Sequence, residues 1–347
     1  MTHPIITSKR NCFSIVILAS LFGVCCYSVV TFVLHKNTKS AVYKMGSEIK
    51  LAVYSGDGEF LAICDRDGQI DIRNSDSGQR VGKFQVKGNV SSLAFSPDNT
   101  VLALGSFDGD LYFWSIEDAQ IIRHYHINPI LCIRYSKQGL FGYSTSGLTA
   151  REENQFTIMH WKTRKVVKTW KMQGFDYRIT SFNFSYSGNK VACTTATSKI
   201  ILFDTHSKNF SWKIGWKIGQ SLWGSGNGAS IAFSPNDKYI ITTLEPKPIG
   251  YLGLVINASD GSIHKKIKLK KLNVNIRRSL IYYSSNGSIR ILGTNNDHDL
   301  LIINQEGKVI NRYETNINVP LVPLDVSALT KQFAVAYGPK IGIWEIR

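Results

Sequence analysis

Two short clusters of carboxylate and imidazole side chains are the first candidates for chemistry in this chain. His298 stands between Asp297 and Asp299, and a single residue separates Asp65 from Asp67. Such side chains ligate divalent metals when a fold gathers three or four of them. Each cluster lies in a short polar turn between apolar runs, where Asp and Asn commonly hydrogen-bond to nearby backbone. The sequence therefore predicts structural turns here, with no metal site and no cofactor.

Catalytic motifs add no stronger candidate. The sequence contains no GxSxG elbow, no P-loop, no HExxH pair and no CxxC pair. These patterns carry nucleophilic, phosphate-binding, zinc-dependent and thiol-redox chemistry. We therefore expect a protein that is not an enzyme.

Positive charge is the most prominent compositional feature, with a formal net charge of +16. Much of it falls in two segments, and lysines that alternate with Ile267 and Leu269 predict a strand with one basic face. The residues of this basic rim are Lys162, Arg164, Lys165 and Lys168, and Lys265, Lys266, Lys268, Lys270 and Lys271. Anionic lipid headgroups are one partner for such a rim, and a solvated rim without a partner is the alternative. Nucleic acid is not predicted, because no binding motif or regular stacking platform accompanies the charge.

The N-terminal region differs from the rest of the chain. Residues 12–34 form a run of 23 residues without a charge, long enough as a helix to span the hydrocarbon core of a bilayer. We expect a single transmembrane anchor at 12–34, after a short basic tail at 1–11 and before a linker at 35–40. A cleaved signal peptide is the alternative, although the apolar run is longer than usual and lacks a clear cleavage site.

The side of the membrane is predicted from weaker signals. Basic residues flank the apolar run on both sides, so the positive-inside rule does not decide the orientation. A short basic tail before a single span favours a cytoplasmic N terminus and a large domain on the extracytoplasmic side. Cys64, Cys132 and Cys193 lie in apolar runs beyond the span, and three buried free thiols favour a reducing compartment instead.

The remainder of the chain has an internal period. An apolar run, a serine with turn residues, and a second apolar run recur seven times, beginning at Ser55, Ser96, Ser136, Ser185, Ser234, Ser284 and Ser327. Successive serines are 40 to 50 residues apart. One four-stranded blade of a β-propeller takes about 40–45 residues, so the period predicts seven blades.

Individual segments resemble degenerate WD repeats. The resemblance rests on FSPDN with Asp108 and FWSI, on FSPND, and on the closing IGIWEI, and it extends over residues 49–347. It implies an all-β, seven-bladed propeller at 41–347, in which residues 41–44 supply the outer strand that completes the last blade. It also implies that Asp108 ties its turn to neighbouring backbone and that Trp114 ends a third strand. Closing the ring in this way removes exposed sheet edges.

The resemblance implies a protein-binding function as well. Loops between blades, and turns between second and third strands, share one end of such a ring, which we call the top face. Aromatic and arginine side chains there are candidate partner contacts. They are His124, His126, Phe175, Tyr177, Arg178, Trp216, Trp223, Arg277 and Arg278.

Two readings of function follow from these observations. The first is a membrane-anchored scaffold that belongs to a larger membrane-associated complex or assists its assembly. The alternative is a propeller enzyme, such as a quinone-dependent dehydrogenase or a lyase, or a ligand-sensing protein with a site in the central channel. The predicted inner strands carry apolar and small polar residues and the tryptophans do not recur in register, which favours the scaffold.

Overall fold

The computed structural model describes residues 39–147, 153–174, 177–197, 199–207, 210–214, 230–244, 252–269, 275–295, 297–315, 317 and 319–346. They belong to one unit, Asn37–Arg347, and form seven four-stranded antiparallel sheets. The predicted all-β, seven-bladed propeller is confirmed. The predicted tail at 1–11 and the predicted span at 12–34 lie outside the described residues. Within the described part, no helix is long and apolar enough to cross a membrane.

Each blade is a meander of an inner, a second, a third and an outer strand. Blades 1 to 3 contain β2 (Ile49–Tyr54), β3 (Phe60–Asp65), β4 (Gln69–Asn74) and β5 (Arg80–Gln85); β6 (Val90–Phe95), β7 (Val101–Ser106), β8 (Asp110–Ser115) and β9 (Gln120–His126); and β10 (Ile130–Tyr135), β11 (Leu140–Thr145), β12 (Glu153–His160) and β13 (Val166–Gln173). Blades 4 and 5 contain β14 (Ile179–Phe184), β15 (Lys190–Thr195), β16 (Ile200–Asp204) and β17 (Phe210–Ile214); and β18 (Ile231–Phe233), β19 (Tyr239–Leu244), β20 (Leu252–Asn257) and β21 (Ile263–Lys268). Blades 6 and 7 contain β22 (Asn275–Tyr283), β23 (Ile289–Thr294), β24 (Leu300–Asn304) and β25 (Val309–Tyr313); and β26 (Val322–Ser327), β27 (Gln332–Tyr337) and β28 (Lys340–Glu345), completed by β1 (Lys39–Lys44).

The seventh blade joins the two ends of the described chain. Strand β1 pairs antiparallel with β28, with Tyr43 opposite Ile341. The sequence predicts this strand at 41–44, and the structure has it at Lys39–Lys44. Inner strands of successive blades contact one another around the ring, including β2 with β26. Ring closure therefore gives the seventh blade its fourth strand, and the outer strand of each blade is the sheet edge on the outside of the ring.

The recurring serine of the sequence has a structural role in the turn after each inner strand. In five of these turns the serine hydroxyl accepts a hydrogen bond from the amide that opens the second strand. In blade 2, Ser96 Oγ accepts from Val101 N at 3.0 Å and donates to Asp98 Oδ1 at 2.7 Å. A serine that hydrogen-bonds to backbone stabilises a tight turn, which is why the serine marks the period.

The apolar core lies between neighbouring blades rather than in the centre of the ring. Strand β7 is buried along its whole length, whereas outer strand β9 is exposed along its whole length. Cys64, Cys132 and Cys193 are buried free thiols, as the sequence predicts. What differs from one blade to the next is how the outer strand of one blade closes against the third strand of the following blade.

Candidate functional site

The top face is held together by hydrogen bonds from loop to turn. In blade 2, the Asp108 carboxylate accepts from the backbone amide of Asn89 at 2.6 Å, which ties the turn after β7 to the loop that precedes β6. In blade 1, Asp65 accepts from the amides of Ser47, Asp67 and Gln69. The Asp65 cluster is thus engaged in turn structure.

The second acidic cluster is engaged in the same way. The Asp299 carboxylate accepts hydrogen bonds from Arg312 Nε at 2.9 Å and from the side-chain amide of Asn295 at 3.3 Å. Among the residues that the structure describes, no group of three His, Cys, Asp or Glu side chains could hold a metal ion.

A cluster of one aromatic and three cationic side chains lies on the top face between blades 3 and 4. We call it the Tyr177 patch, and it consists of Tyr177, Arg178, Lys199 and Lys213. Lys213 Nζ donates to the Tyr177 hydroxyl at 2.7 Å. The ammonium groups of Lys213 and Lys199 lie 4.9 and 5.1 Å from the centre of the Tyr177 ring. The hydrogen bond places the Lys213 ammonium at the hydroxyl edge of the ring, and the Lys199 ammonium adds a cation–π attraction to the ring.

Three separate elements build the Tyr177 patch. Tyr177 and Arg178 precede β14, Lys199 lies in the turn before β16, and Lys213 lies in the outer strand β17. Arg178 Nη2 donates to the carbonyl of Gly147 at 3.3 Å, which links the patch to blade 3. Tyr177 also packs against the apolar core of the seam between blades 3 and 4. The base of the tyrosine is therefore fixed by packing, while its hydroxyl and the lysines carry the polar surface.

His124 and His126 lie in the outer strand β9 and not in the loop between blades where the sequence placed them, because β9 continues through His126. Both imidazoles meet the same carboxylate oxygen, since His124 Nε2 and His126 Nδ1 lie 2.8 and 3.0 Å from Asp110 Oδ1. Partial burial opposes ionisation of Asp110, but its contacts with His126 and His124 outweigh burial and lower the pKa of the carboxyl. The two histidines of β9 thus hold this strand against β8, which carries Asp110.

Other predicted top-face residues are placed differently. Arg277 and Arg278 belong to the inner strand β22 and not to a loop between blades, since β22 begins at Asn275 and is irregular before Leu280. Phe175, Trp216 and Trp223 lie outside the described residues. The structure therefore brings together, of the predicted contacts, Tyr177 with Arg178 and His124 with His126.

The basic rim divides into two groups on blades 3 and 5. Lys162, Arg164 and Lys165 lie in the turn between β12 and β13, not in an outer strand as the sequence suggested, because β13 begins only at Val166. Lys168 lies in β13.

The second group follows the strand prediction. Lys265, Lys266 and Lys268 lie in β21, and Lys270 and Lys271 fall outside the described residues. Two rim lysines are paired with carboxylates, Lys162 with Asp98 at 3.1 Å and Lys265 with Glu306 at 3.6 Å. The described rim is therefore two separate surfaces, each partly neutralised.

The central channel holds a polar pair that sequence reasoning missed. Asp325 accepts from the amide of Tyr54 at 2.8 Å, and Arg134 donates to the Ser92 hydroxyl at 3.3 Å. Burial raises the pKa of Asp325 to about 6, against the opposing effect of backbone donors and of Arg134. The sequence does carry a signal for these residues, because Asp325 and Arg134 are each a charged residue within a mostly apolar inner strand.

The channel is small for a ligand site. Its cavity measures about 140 Å³, whereas pockets for small organic ligands usually measure about 300–1,000 Å³. This volume favours the scaffold over an enzyme with a cofactor in the channel.

A larger groove opens between blades 2 and 3, and the sequence gave no sign of it. It has a volume of about 630 Å³ and is lined mainly by apolar and aromatic side chains, including Phe113, Tyr125, Phe141 and Trp161. Arg164 Nη1 donates to the Tyr125 hydroxyl at 3.3 Å across its mouth. The groove lies on the side of the ring, away from the channel.

Comparison with known proteins supports the repeat that the geometry defines. Residues 78–115 match the profile of the family described as WD domain, G-beta repeat. The match runs from the outer strand of blade 1 through the third strand of blade 2. This chain is a β-propeller that carries a WD40 repeat.

Solved structures and curated proteins agree with this fold. The β-propeller domain of Cps50 (Swd1) from Myceliophteria thermophila superposes with a TM-score of 0.68 at 13% identity, over 90% of this chain and 100% of that one. Pre-mRNA-processing factor 19 of Oryza sativa subsp. japonica is 21% identical over 49% of this chain and 31% of its own length. Probable U3 small nucleolar RNA-associated protein 18 of Schizosaccharomyces pombe is 21% identical over 46% of this chain and 31% of its own length. This chain thus spans about a third of the length of these curated relatives.

Proposed function

We propose that this WD-repeat propeller is a membrane-anchored scaffold that binds partner proteins through the Tyr177 patch on its top face. In this role it is a subunit or assembly factor of a larger membrane-associated complex. The observation that carries the proposal is the contact of Tyr177 with two cations, through a hydrogen bond from Lys213 to its hydroxyl and the Lys199 ammonium over its ring. Tyrosine and arginine are enriched among the residues that dominate binding energy in protein interfaces, and the half-buried ring is already ordered before a partner binds.

The charge of the patch indicates the chemistry of the partner. Tyr177 is flanked by the cations of Arg178, Lys199 and Lys213, so an acidic protein surface complements it. Ordered side chains lose little conformational freedom on binding. The packing of Tyr177 against the seam core therefore favours association.

The anchor is proposed from the sequence, in which residues 12–34 form the uncharged run. Because β1 begins at Lys39, the linker predicted at 35–40 shortens to 35–38, which reaches about 14 Å when fully extended at roughly 3.3–3.6 Å per residue, so such an anchor would keep the propeller close to the bilayer. We place the propeller on the extracytoplasmic side, following the short basic tail at 1–11. Anionic lipid headgroups are then a second partner, through the basic rim.

The test of the scaffold is affinity purification of the full-length chain from membranes in mild detergent. One variant combines Tyr177→Ala with Lys213→Glu. A matched control combines Tyr186→Ala with Lys137→Glu, because Lys137 lies 4.8 Å from the Tyr186 ring centre in the same kind of contact, but in turns on the opposite end of the ring.

We expect stoichiometric partners with the unchanged chain and with the control, and their loss with the Tyr177 variant. Equal recovery in all three samples would refute the patch as the docking surface. A chain that purifies alone in all three would refute the scaffold itself. Protease protection of the propeller in sealed vesicles, measured before and after permeabilisation, tests the proposed side of the membrane.

A further inference from the structure

The groove between blades 2 and 3 arises at a seam that departs from its neighbours. At the seam between blades 1 and 2, the ring of Phe84 in β5 stacks on Trp114 in β8, with centres 3.7 Å apart. At the seam between blades 3 and 4, Trp170 lies 4.8 Å from Phe203. An aromatic of an outer strand thus covers an aromatic of the following blade's third strand, and the seam is filled.

Strand register identifies the residues that change at the open seam. Trp114 pairs with Leu102, and the equivalent pair in blade 3 is Met159 with Phe141. Methionine is flexible and offers no ring face for stacking. Tyr125 occupies the outer-strand position of Phe84 but remains 39% exposed. The seam therefore stays open as a groove.

The lip of the groove is cationic. Arg123, Lys162 and Arg164 line it, and Asp98 is its one lining carboxylate among the described residues. Asp98 already pairs with Lys162 at 3.1 Å, and Arg123 makes no ion pair with another described residue. The groove thus presents an apolar floor and a lip with net positive charge.

The strand beside the groove has an open edge. Outer strand β9 pairs only with β8 in its sheet, and Ile121 and Ile122 on it are 39% and 42% exposed. An extended peptide that adds to such an edge points alternate side chains to the same side. A peptide along β9 therefore places every second side chain towards the groove.

We propose that this groove binds a short extended segment of a partner protein, in which the side chains on one face, at every second residue, are aromatic or large aliphatic groups followed by carboxylates. That face lies towards the groove, so that the apolar side chains enter it between Phe113 and Met159 and the carboxylates two residues away meet Arg123 and Arg164 at the lip. This site is on the side of the ring and is separate from the Tyr177 patch, so it goes beyond the scaffold function proposed for the top face.

The test uses the full-length chain in mild detergent and a fluorescein-labelled peptide in which phenylalanine and glutamate alternate at every second position with serine between them, so that both lie on one face, followed by fluorescence anisotropy. We expect a dissociation constant on the order of 10–100 µM, as for a weak linear motif, and weaker binding at high salt. Arg123→Glu should weaken binding about tenfold, since it reverses an exposed charge at the lip. Met159→Trp should abolish binding by filling the groove, and its thermal unfolding serves as a folding check.

Lys165→Glu is the matched control, because Lys165 lies beside Arg164 in the same turn but does not line the groove. It should leave binding unchanged. Equal loss with Lys165→Glu and Arg123→Glu would overturn the proposal in favour of non-specific charge attraction. Three other results would also overturn the proposal. They are tight binding of a lysine–phenylalanine peptide, unchanged peptide binding by a folded Met159→Trp chain, and the absence of saturable binding. Binding of phosphatidylserine vesicles that Arg123→Glu abolishes, without peptide binding, would assign the lip to lipid instead.

Discussion

The seams on the two sides of blade 2 show how one repeat can serve both stability and recognition. Between blades 1 and 2, Phe84 stacks on Trp114, which is only 7% exposed. At the seam between blades 2 and 3, Tyr125 meets Phe113 of its own blade edge-on at 6.2 Å and keeps much of its surface in solvent. The strand register is equivalent at both seams, so the side chains decide whether a seam is closed or open.

A glycine also contributes to the closed seam. Gly82 pairs with Ile72, and the equivalent pair at the open seam is Arg123 with Phe113. A side chain at Gly82 would begin 3.6 Å from Trp114 Nε1. Because Gly82 has no side chain, Trp114 can lie flat on Phe84. At the groove the equivalent position holds Arg123, which has a long side chain.

Replacement of the stacked tryptophan should have the largest effect of the changes that compare the stability of the closed and open seams. Trp114→Ala should lower the free energy of unfolding by about 3–5 kcal/mol, because it removes a buried aromatic and leaves a cavity. Trp161→Ala, at the lip of the groove, should lower it by only about 1 kcal/mol. Urea denaturation followed by circular dichroism measures both, and similar losses would show that the two seams do not differ energetically.

Transfer of the open-seam residue to the closed seam tests the role of the glycine. Gly82→Arg should lower the free energy of unfolding by about 1–3 kcal/mol, because the long side chain displaces Trp114 from Phe84. Gly82→Ala is the matched control, since its methyl group makes only ordinary contact with Trp114. The chain has seven tryptophans, so the Trp114 emission is taken as the difference between each chain and the same chain with Trp114→Phe. An unchanged Trp114 emission in Gly82→Arg would contradict this explanation.

A third seam, between blades 7 and 1, adds a polar contact at its inner edge and a smaller pH-dependent effect. Asp325 of β26 accepts from the amide of Tyr54 in β2, and burial raises the pKa of Asp325 from an ordinary value of 3.8 to about 6. The folded chain therefore binds this proton more tightly than the unfolded chain. The resulting stability is present below about pH 4 and is lost as the pH rises through about 6.

Asp325→Asn removes the ionisable carboxyl group, and with it the loss of stability as the pH rises through about 6. At pH 7.5 the variant should be more stable than the unchanged chain by about 1–2 kcal/mol, less than the pKa shift alone would give because Arg134 loses an attractive charge. The difference should disappear near pH 4. Thermal unfolding at a series of pH values measures it, and a variant that is less stable at every pH would show that the ionised carboxylate stabilises the channel.

The blades were predictable from the sequence because their defining contacts are local. In five blades the serine at the start of the turn hydrogen-bonds to an amide four or five residues further along, so its recurrence marks the blade period directly. Trp114 at the end of a third strand and the closing strand β1 were likewise visible as patterns. The end of β9 was less predictable, because Tyr125 and His126 are kept in the strand by pairing with Leu111 and Asp110 of β8 and not by a local pattern.

The candidate surfaces were only partly predictable. Tyr177 and Arg178 were expected from their residue types, but Lys199 and Lys213 come from other elements that meet them only in the folded blade. The groove depends on Met159 and Arg123, whose positions have meaning only when strands of neighbouring blades are placed in register. Asp325 and Arg134 were missed because their strands contain mostly apolar residues.

Site-specific photocrosslinking in native membranes tests the central claim most directly, that partner proteins dock on the top face. A photoreactive phenylalanine analogue replaces Tyr177 in one sample and Tyr186, at the opposite end of the ring, in the other. We predict a discrete higher-mass crosslinked product from position 177 and none from position 186. Equal crosslinking from both positions, or a product from position 186 alone, would contradict the scaffold proposed here.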